Sequence, residues 1–252
     1  MKKAFYLIIG GIIIFLTIVF LLFRNKLLVK GATQHTTGQE VRDIDGNLYG
    51  TVAIGNRLWL DKDLQTSRFN DSTEIKKIAG DVEWAMTNSP AFCWYKNSEG
   101  SKRDNFGALY NWYVVETKRI CPTGWHVPGY NEWIEMINKL GGEKIAGQLL
   151  KEKGNTHWMN NSKTITASGF NALPSGYRFS DGNFFDKGQN VTWWTSVSSS
   201  AENAWAILVS YAGNSTYAIP YYRKNHGFSI RCVKDTYINS NDSSDSRVGN
   251  EH

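Results

Sequence analysis

Beyond its first thirty residues the chain lacks any net charge. It carries 28 Lys+Arg against 23 Asp+Glu, and the whole surplus sits in Lys2, Lys3, Arg24, Lys26 and Lys30, within a stretch that holds no acid. A nucleic-acid binder shows its basic excess on the folded part, so no nucleic-acid partner is expected. Proline is scarce, at 5 residues, whereas glycine numbers 23 and the aromatics make up 13%. That balance describes an aromatic-rich, turn-rich globule and excludes a disordered chain. No internal repeat recurs at a fixed period. No G-x-S-x-G, phosphate-binding loop or dinucleotide fingerprint is present. The five histidines (His35, His126, His157, His226 and His252) include no H-x-x-x-H pair. The residues therefore assign no catalytic group, no metal site and no cofactor.

Charge is also missing from residues 4–23, AFYLIIGGIIIFLTIVFLLF. A helix of that length covers about 30 Å, the hydrocarbon thickness of a bilayer. A cleavable signal peptide has a shorter apolar region ending in small residues. Here the run meets Phe23-Arg24-Asn25-Lys26 with no Ala-x-Ala and no following cysteine. The expectation is a retained membrane anchor over residues 1–30. Basic residues flank both ends, so the positive-inside rule leaves orientation close to a tie. The cysteines, tryptophans and Asn/Ser/Gly-rich loops of the remainder suit an exported domain, which places the N-terminus inside and the domain outside.

Residues 31–40 read as a polar stalk and 236–252 as a disordered tail, leaving one domain at 41–235. Asp45-Gly46 between short β-type runs signals a hairpin with positive φ at both turn positions, and Gly55-Asn56 signals another turn. Phe106, Leu109, Tyr110, Tyr113 and Val114 recur at helical spacing, as do Trp133, Ile134, Ile137 and Leu140, the latter stripe closed by Gly141-Gly142. A shorter helix is expected over Glu143–Lys151. After residue 165, short β-rich segments follow at Gly169–Leu173, Val191–Ser196, Ala204–Tyr211, Thr216–Tyr221 and Phe228–Val233. The order of elements argues for α+β with long irregular loops.

Several strings in order resemble one family. They are Asp45-Gly46-Asn47, Val52-Ala53-Ile54-Gly55, Cys93-Trp94-Tyr95-Lys96-Asn97, Gly107-Ala108-Leu109-Tyr110-Asn111-Trp112-Tyr113 and Cys121-Pro122-Thr123-Gly124-Trp125-His126-Val127-Pro128. Further on come Ser168-Gly169-Phe170-Asn171-Ala172-Leu173-Pro174, Gly176-Tyr177-Arg178, Trp193-Trp194-Thr195-Ser196 and Ser229-Ile230-Arg231-Cys232-Val233-Lys234-Asp235. Over nearly all of 41–235 the chain is similar to the Fibrobacter succinogenes major paralogous domain, found on exported bacterial proteins. The resemblance implies a C-type-lectin-like fold, with two helices packed on small twisted antiparallel sheets and long loops, preceded here by the one transmembrane helix expected at residues 4–23. That uncharged run and the export-type family together lead to the expectation of a single-pass membrane protein of the bacterial cell envelope with its C-terminal domain outside the cytoplasm. It implies no general activity.

Cys93, Cys121 and Cys232 are odd in number, and outside the cytoplasm at least one pair is expected to bond. In lectin-like domains a cystine commonly ties a helix region to the last strand, so the resemblance implies Cys121–Cys232, with Cys93 a buried free thiol. The calcium motifs of the lectins are absent. Loop acids such as Asp181 and Asp186 supply fewer ligands than calcium takes and read as solvated.

Among the aromatics, Trp59, Trp112, Trp125, Trp133 and Trp193 fit core positions. Tyr177, Trp194, Trp205, Tyr211, Tyr217, Tyr221 and Tyr222 stand among Gly, Asn and Ser, where flat rings beside amides and hydroxyls suit sugar stacking or protein contacts. The expected function is a non-catalytic module binding a glycan or a cell-surface protein through Tyr177, Arg178, Trp194 and Tyr221. The competing readings are an enzyme acting on envelope polymers and a structural envelope component.

Overall fold

The first hairpin shows how local residues set the chain's opening. In the computed structural model, which describes residues 40–98, 100, 105–154, 156–159 and 168–236, β1 (Val41–Arg42) pairs antiparallel with β2 (Leu48–Tyr49). The Asp43 carboxylate accepts from the backbone of Asp45 and Asn47, and Gly46 N–H closes onto Asp43 O at 3.0 Å. Only Gly46 takes positive φ there; Asp45 does not, because the turn spans five residues rather than two. The expected membrane span at 4–23, residues 31–39 of the stalk and residues 237–252 of the tail lie outside the described residues. Among the described residues no helix is long and apolar enough to cross a membrane.

The architecture is α+β. β3 (Thr51–Ile54) and β4 (Arg57–Leu60) are joined through Gly55-Asn56 and share a four-stranded sheet, in the order β3-β4-β14-β8, with β8 (Trp125–His126) and β14 (Val233–Lys234). Its register sets Val52, Trp59, Val233 and His126 in line across four strands. A second sheet joins β5 (Lys76–Lys77), β6 (Ala91–Cys93) and β7 (Leu109–Tyr110), with α1 (Asp81–Met86) between β5 and β6. Then come α2 (Trp112–Glu116), α3 (Tyr130–Lys139), α4 (Glu143–Leu150) and the short hairpin of β9 (Tyr177–Arg178) and β10 (Phe184–Phe185). The longest strands, β11 (Asn190–Ser198), β12 (Asn203–Ser210) and β13 (Thr216–Arg223), form a meander.

That meander is the partition of the core. Side chains alternate along a strand, so Trp193 and Trp194 leave β11 on opposite faces. Trp193, opposite Ile207, joins Trp59, Trp133 and Phe170; its ring stacks on Trp133 at 5.3 Å. Trp194, opposite Ala206, joins Trp112, Tyr110 and Phe228. Each such ring pair adds about 0.5–1.5 kcal/mol beyond its area burial. A buried ion pair fastens the first of these clusters. Arg231 holds Asp63 at 2.7 Å, Trp193 Nε1 donates to the same carboxylate at 2.8 Å, and Arg231 also donates to Leu60 O and Phe170 O. Gly147 lets α4 approach the chain leading into β13, because a Cβ there would meet Ser215 O at 2.5 Å.

Trp59, Trp112, Trp125, Trp133 and Trp193 are all buried. α3 ends at Gly141-Gly142, both at positive φ, and α4 covers the expected short helix. Cys121 and Cys232 are bonded, their α-carbons 6.1 Å apart and 111 positions apart in sequence, and Cys93 is buried and free.

Two expectations are corrected. The stripe from Phe106 to Val114 is not one helix: Leu109–Tyr110 is a strand and only Trp112–Glu116 is helical. Phe106 to Trp112 are buried on every side, so apolar residues recur there without a helix. Tyr110 exchanges backbone hydrogen bonds with Phe228, and Gly107 takes positive φ. Gly169–Leu173 is not a strand either. It makes one bridge, Ala172 to Lys151, and breaks at Asn171 with φ 53°.

Candidate functional site

The four expected contact residues separate into two levels. Arg178 and Trp194 are fully buried and offer no surface to a ligand, which corrects the expectation for both. Arg178 points inward from β9 because its acceptors lie there. Its guanidinium donates to Gly182 O at 2.8 Å, Ile78 O at 2.7 Å, Ala79 O at 2.9 Å and Asp81 Oδ1 at 2.9 Å, and lies over the rings of Trp84 and Phe184. Gly182, at φ 98°, presses against Asp81, where a Cβ would meet the backbone at 2.5 Å. Arg178 thus clamps the β9–β10 hairpin onto the start of α1. Trp194 donates Nε1–H to Tyr110 O at 2.8 Å and packs on Phe228 at 4.4 Å.

Above this scaffold the structure does bring Tyr177 and Tyr221 to one aromatic face. Phe185 meets Tyr177 at 5.8 Å, Tyr177 meets Phe228 at 5.9 Å, Phe228 meets Tyr222 at 4.8 Å, and Tyr222 meets Tyr221 at 6.3 Å. Phe179 closes the group, 6.2 Å from Phe185 and 4.6 Å from His226. Phe179, Phe185 and Tyr221 are 39%, 43% and 72% exposed, unusual for side chains of this size in one neighbourhood.

Burial raises the Tyr177 phenol and pushes Tyr222 up to about 12, so both keep their protons and stay hydrogen-bond donors. Burial likewise pushes the His226 imidazole down to about 4. It is neutral at pH 7, with Nδ1 against Arg223 O and Nε2 without a partner among the described residues. The residues that sequence reasoning missed are Phe179, Phe185 and His226. Their one local signal is two apolar rings, Phe184-Phe185, set between Gly182-Asn183 and Asp186-Lys187-Gly188. Trp205 instead packs at a tilt against Tyr130, with ring centroids 4.8 Å apart, and Tyr211 packs against the Trp193 cluster.

The loop acids are engaged locally. Asp181 Oδ1 accepts the Asn183 backbone N–H, which lowers its pKa, and Asp186 accepts from Asn190 at 2.6 Å. Among the described residues no group of three or more His, Cys, Asp or Glu is placed to hold a metal ion. Burial pushes the Cys93 thiol up to about 12, so it is no thiolate at neutral pH.

A second site of different character lies between the β3–β4 turn and α3. Glu132 sits in the first turn of the helix, where its carboxylate accepts the Gly129 backbone N–H at 2.8 Å. The same carboxylate takes Arg57 at 2.6 Å and His126 Nε2 at 3.0 Å; His126 Nδ1 faces Asp235 at 2.7 Å, and Arg57 Nε reaches Glu135 at 3.1 Å. The hydrogen bond to Glu132 is the chief cause of a raised His126 pKa, against the opposing effect of burial. Burial opposes the charge on Glu132 too, but its partners, His126 first, hold the carboxyl below its usual range. Beside this chain of charges opens a cleft of about 520 Å³, with Ile54, Trp59 and Met136 in its walls.

The family model of the Fibrobacter succinogenes major domain matches residues 52–234. The chain belongs to that family. No curated protein and no solved structure matches it.

Proposed function

We propose that this member of the Fibrobacter succinogenes major domain family is a non-catalytic binding module of the bacterial cell envelope. In this reading residues 4–23 anchor it in a membrane, the domain stands outside the cytoplasm, and the fold is of the C-type-lectin-like kind. The Cys121–Cys232 bond supports an oxidising compartment. The observation that carries the binding role is the exposure of Phe179, Phe185 and Tyr221 on one face. Open rings flanked by the tyrosine hydroxyls of 177, 221 and 222 suit a partner that presents flat apolar patches and hydroxyls together. A glycan does this, and so does a protein surface rich in aromatics.

The test is the full chain, held in detergent micelles, on a glycan array and against isolated envelope proteins. Saturable binding, reduced at least tenfold in Tyr221→Ala and Phe185→Ala variants that keep their fold, is the expected result. Undiminished binding in both variants would move the function elsewhere, and turnover of a bound polymer would favour the enzyme reading.

A further inference from the structure

The cleft at the β3–β4 turn holds groups that the binding role of the aromatic face does not use. Its acids are already engaged. Glu132 has both oxygens in hydrogen bonds, to Arg57, His126 and Gly129, and Glu135 is turned onto Arg57. Its remaining polar groups include donors without acceptors. The Lys139 ammonium makes no hydrogen bond or ion pair among the described residues, while its aliphatic stem passes close to Gly55, where a Cβ would meet Lys139 Cγ at 3.2 Å. The carboxamides of Asn56 and Asn138 are likewise uncommitted on the rim. Trp59 lies behind the wall; its indole N–H, without an acceptor among the described residues, is sealed from the cleft and adds nothing to the donors a ligand meets. A cleft of about 520 Å³ with an apolar wall and a surplus of donors fits a small anion on a compact frame.

We propose that this cleft binds a carboxylate-bearing ligand of one sugar or one amino acid in size, with the carboxylate on Lys139 and the carbon frame against Ile54 and Met136. A carboxylate matches the donor set because it only accepts. Glu135 lies one helical turn before Lys139 and lines the same cleft, so its charge opposes the carboxylate. The site is independent of Phe185 and Tyr221.

The experiment is calorimetric titration of the full chain in micelles with D-glucuronate, with N-acetylglutamate and, as the neutral control, with D-glucose. At least one of the two acids is expected to bind saturably and glucose is not; which acid binds tells a sugar source from a peptide source. Lys139→Ala is expected to weaken binding about tenfold, a loss of about 1.4 kcal/mol. Lys139→Arg retains binding, and Glu135→Gln strengthens it because a repelling charge is gone. Both positions are exposed, so the variants remain folded. Tyr221→Ala leaves the affinity unchanged, which separates this site from the aromatic face. Equal binding of glucose, weakening by Glu135→Gln, no effect of Lys139→Ala, or no binding of either acid would each overturn the proposal.

Discussion

The aromatic face and the Arg57 cleft are built by opposite means. At the face the rings pack on one another, and the cation that clamps the β9–β10 hairpin, Arg178, is buried. At the cleft charged groups from β4, β8, α3 and the residue after β14 hold one another at the surface, with His126 and Glu135 substantially exposed. Screening by salt acts on exposed ion pairs and not on the contacts between packed rings, so rising ionic strength weakens the charged contacts at the cleft more than the packing of the face.

The largest effect that can sharpen this contrast is Arg178→Met. It leaves the carbonyls of Ile78 and Gly182 without their donor, while Ala79 O keeps Asn97 Nδ2, and each buried acceptor left unpaired costs about 1–3 kcal/mol. Denaturant unfolding measures the loss. Hydrogen exchange should show it concentrated at 177–185, with His126 titrating as before; equal loosening at both regions would break the comparison.

Removing the disulfide in a Cys121→Ala, Cys232→Ala chain comes next, at about 2–5 kcal/mol. Cys232 precedes β14, the strand between β4 and β8, so the cleft should loosen before the face does. Hydrogen exchange reads the order, and earlier loosening of the face contradicts it.

The two histidines give pH effects of opposite sign. His226 has a folded pKa of about 4, below the unfolded value, so the unfolded chain binds more protons as pH falls. Stability should decline from about pH 6.5 to about 4, by about 3 kcal/mol at most. His226→Phe should flatten that slope. His126 has a raised folded pKa, so its contribution is complete below about pH 6.5 and is lost as pH rises through the folded value. His126→Gln should abolish that upper loss. Unfolding free energies across pH 3–9 test both signs. The smallest effect is Tyr221→Ala, within about 0.5 kcal/mol, because the ring is mostly in solvent; a larger cost, read from denaturant unfolding, would make Tyr221 a packing residue rather than a contact.

Part of this contrast is visible in the residues alone. The hairpin at Asp45-Gly46, the helix under Trp133 and Ile137, and the last three long strands follow from local turn chemistry and periodicity. The cystine pairing followed from family resemblance and not from spacing. Trp194 reads as a contact because its stretch of sequence is rich in Gly, Asn and Ser, but β11 is covered on both faces, so the side chain opposite Trp193 is buried as well. Arg178 reads as a loop contact because nothing near it in sequence announces its acceptors, which lie about a hundred positions earlier at Ile78 and Ala79. Phe179 and Phe185 were missed for the converse reason: they are apolar, and burial is the ordinary expectation for such rings.

The most direct test of the binding face is fluorine NMR of the full chain with 3-fluorotyrosine incorporated, titrated with the glycan or envelope protein retained in the binding assay. Single Tyr→Phe variants assign the resonances. The account predicts that Tyr177, Tyr221 and Tyr222 shift together on binding while the buried Tyr49 and Tyr110 stay fixed. Shifts confined to tyrosines outside that face, or none at saturation, would contradict it.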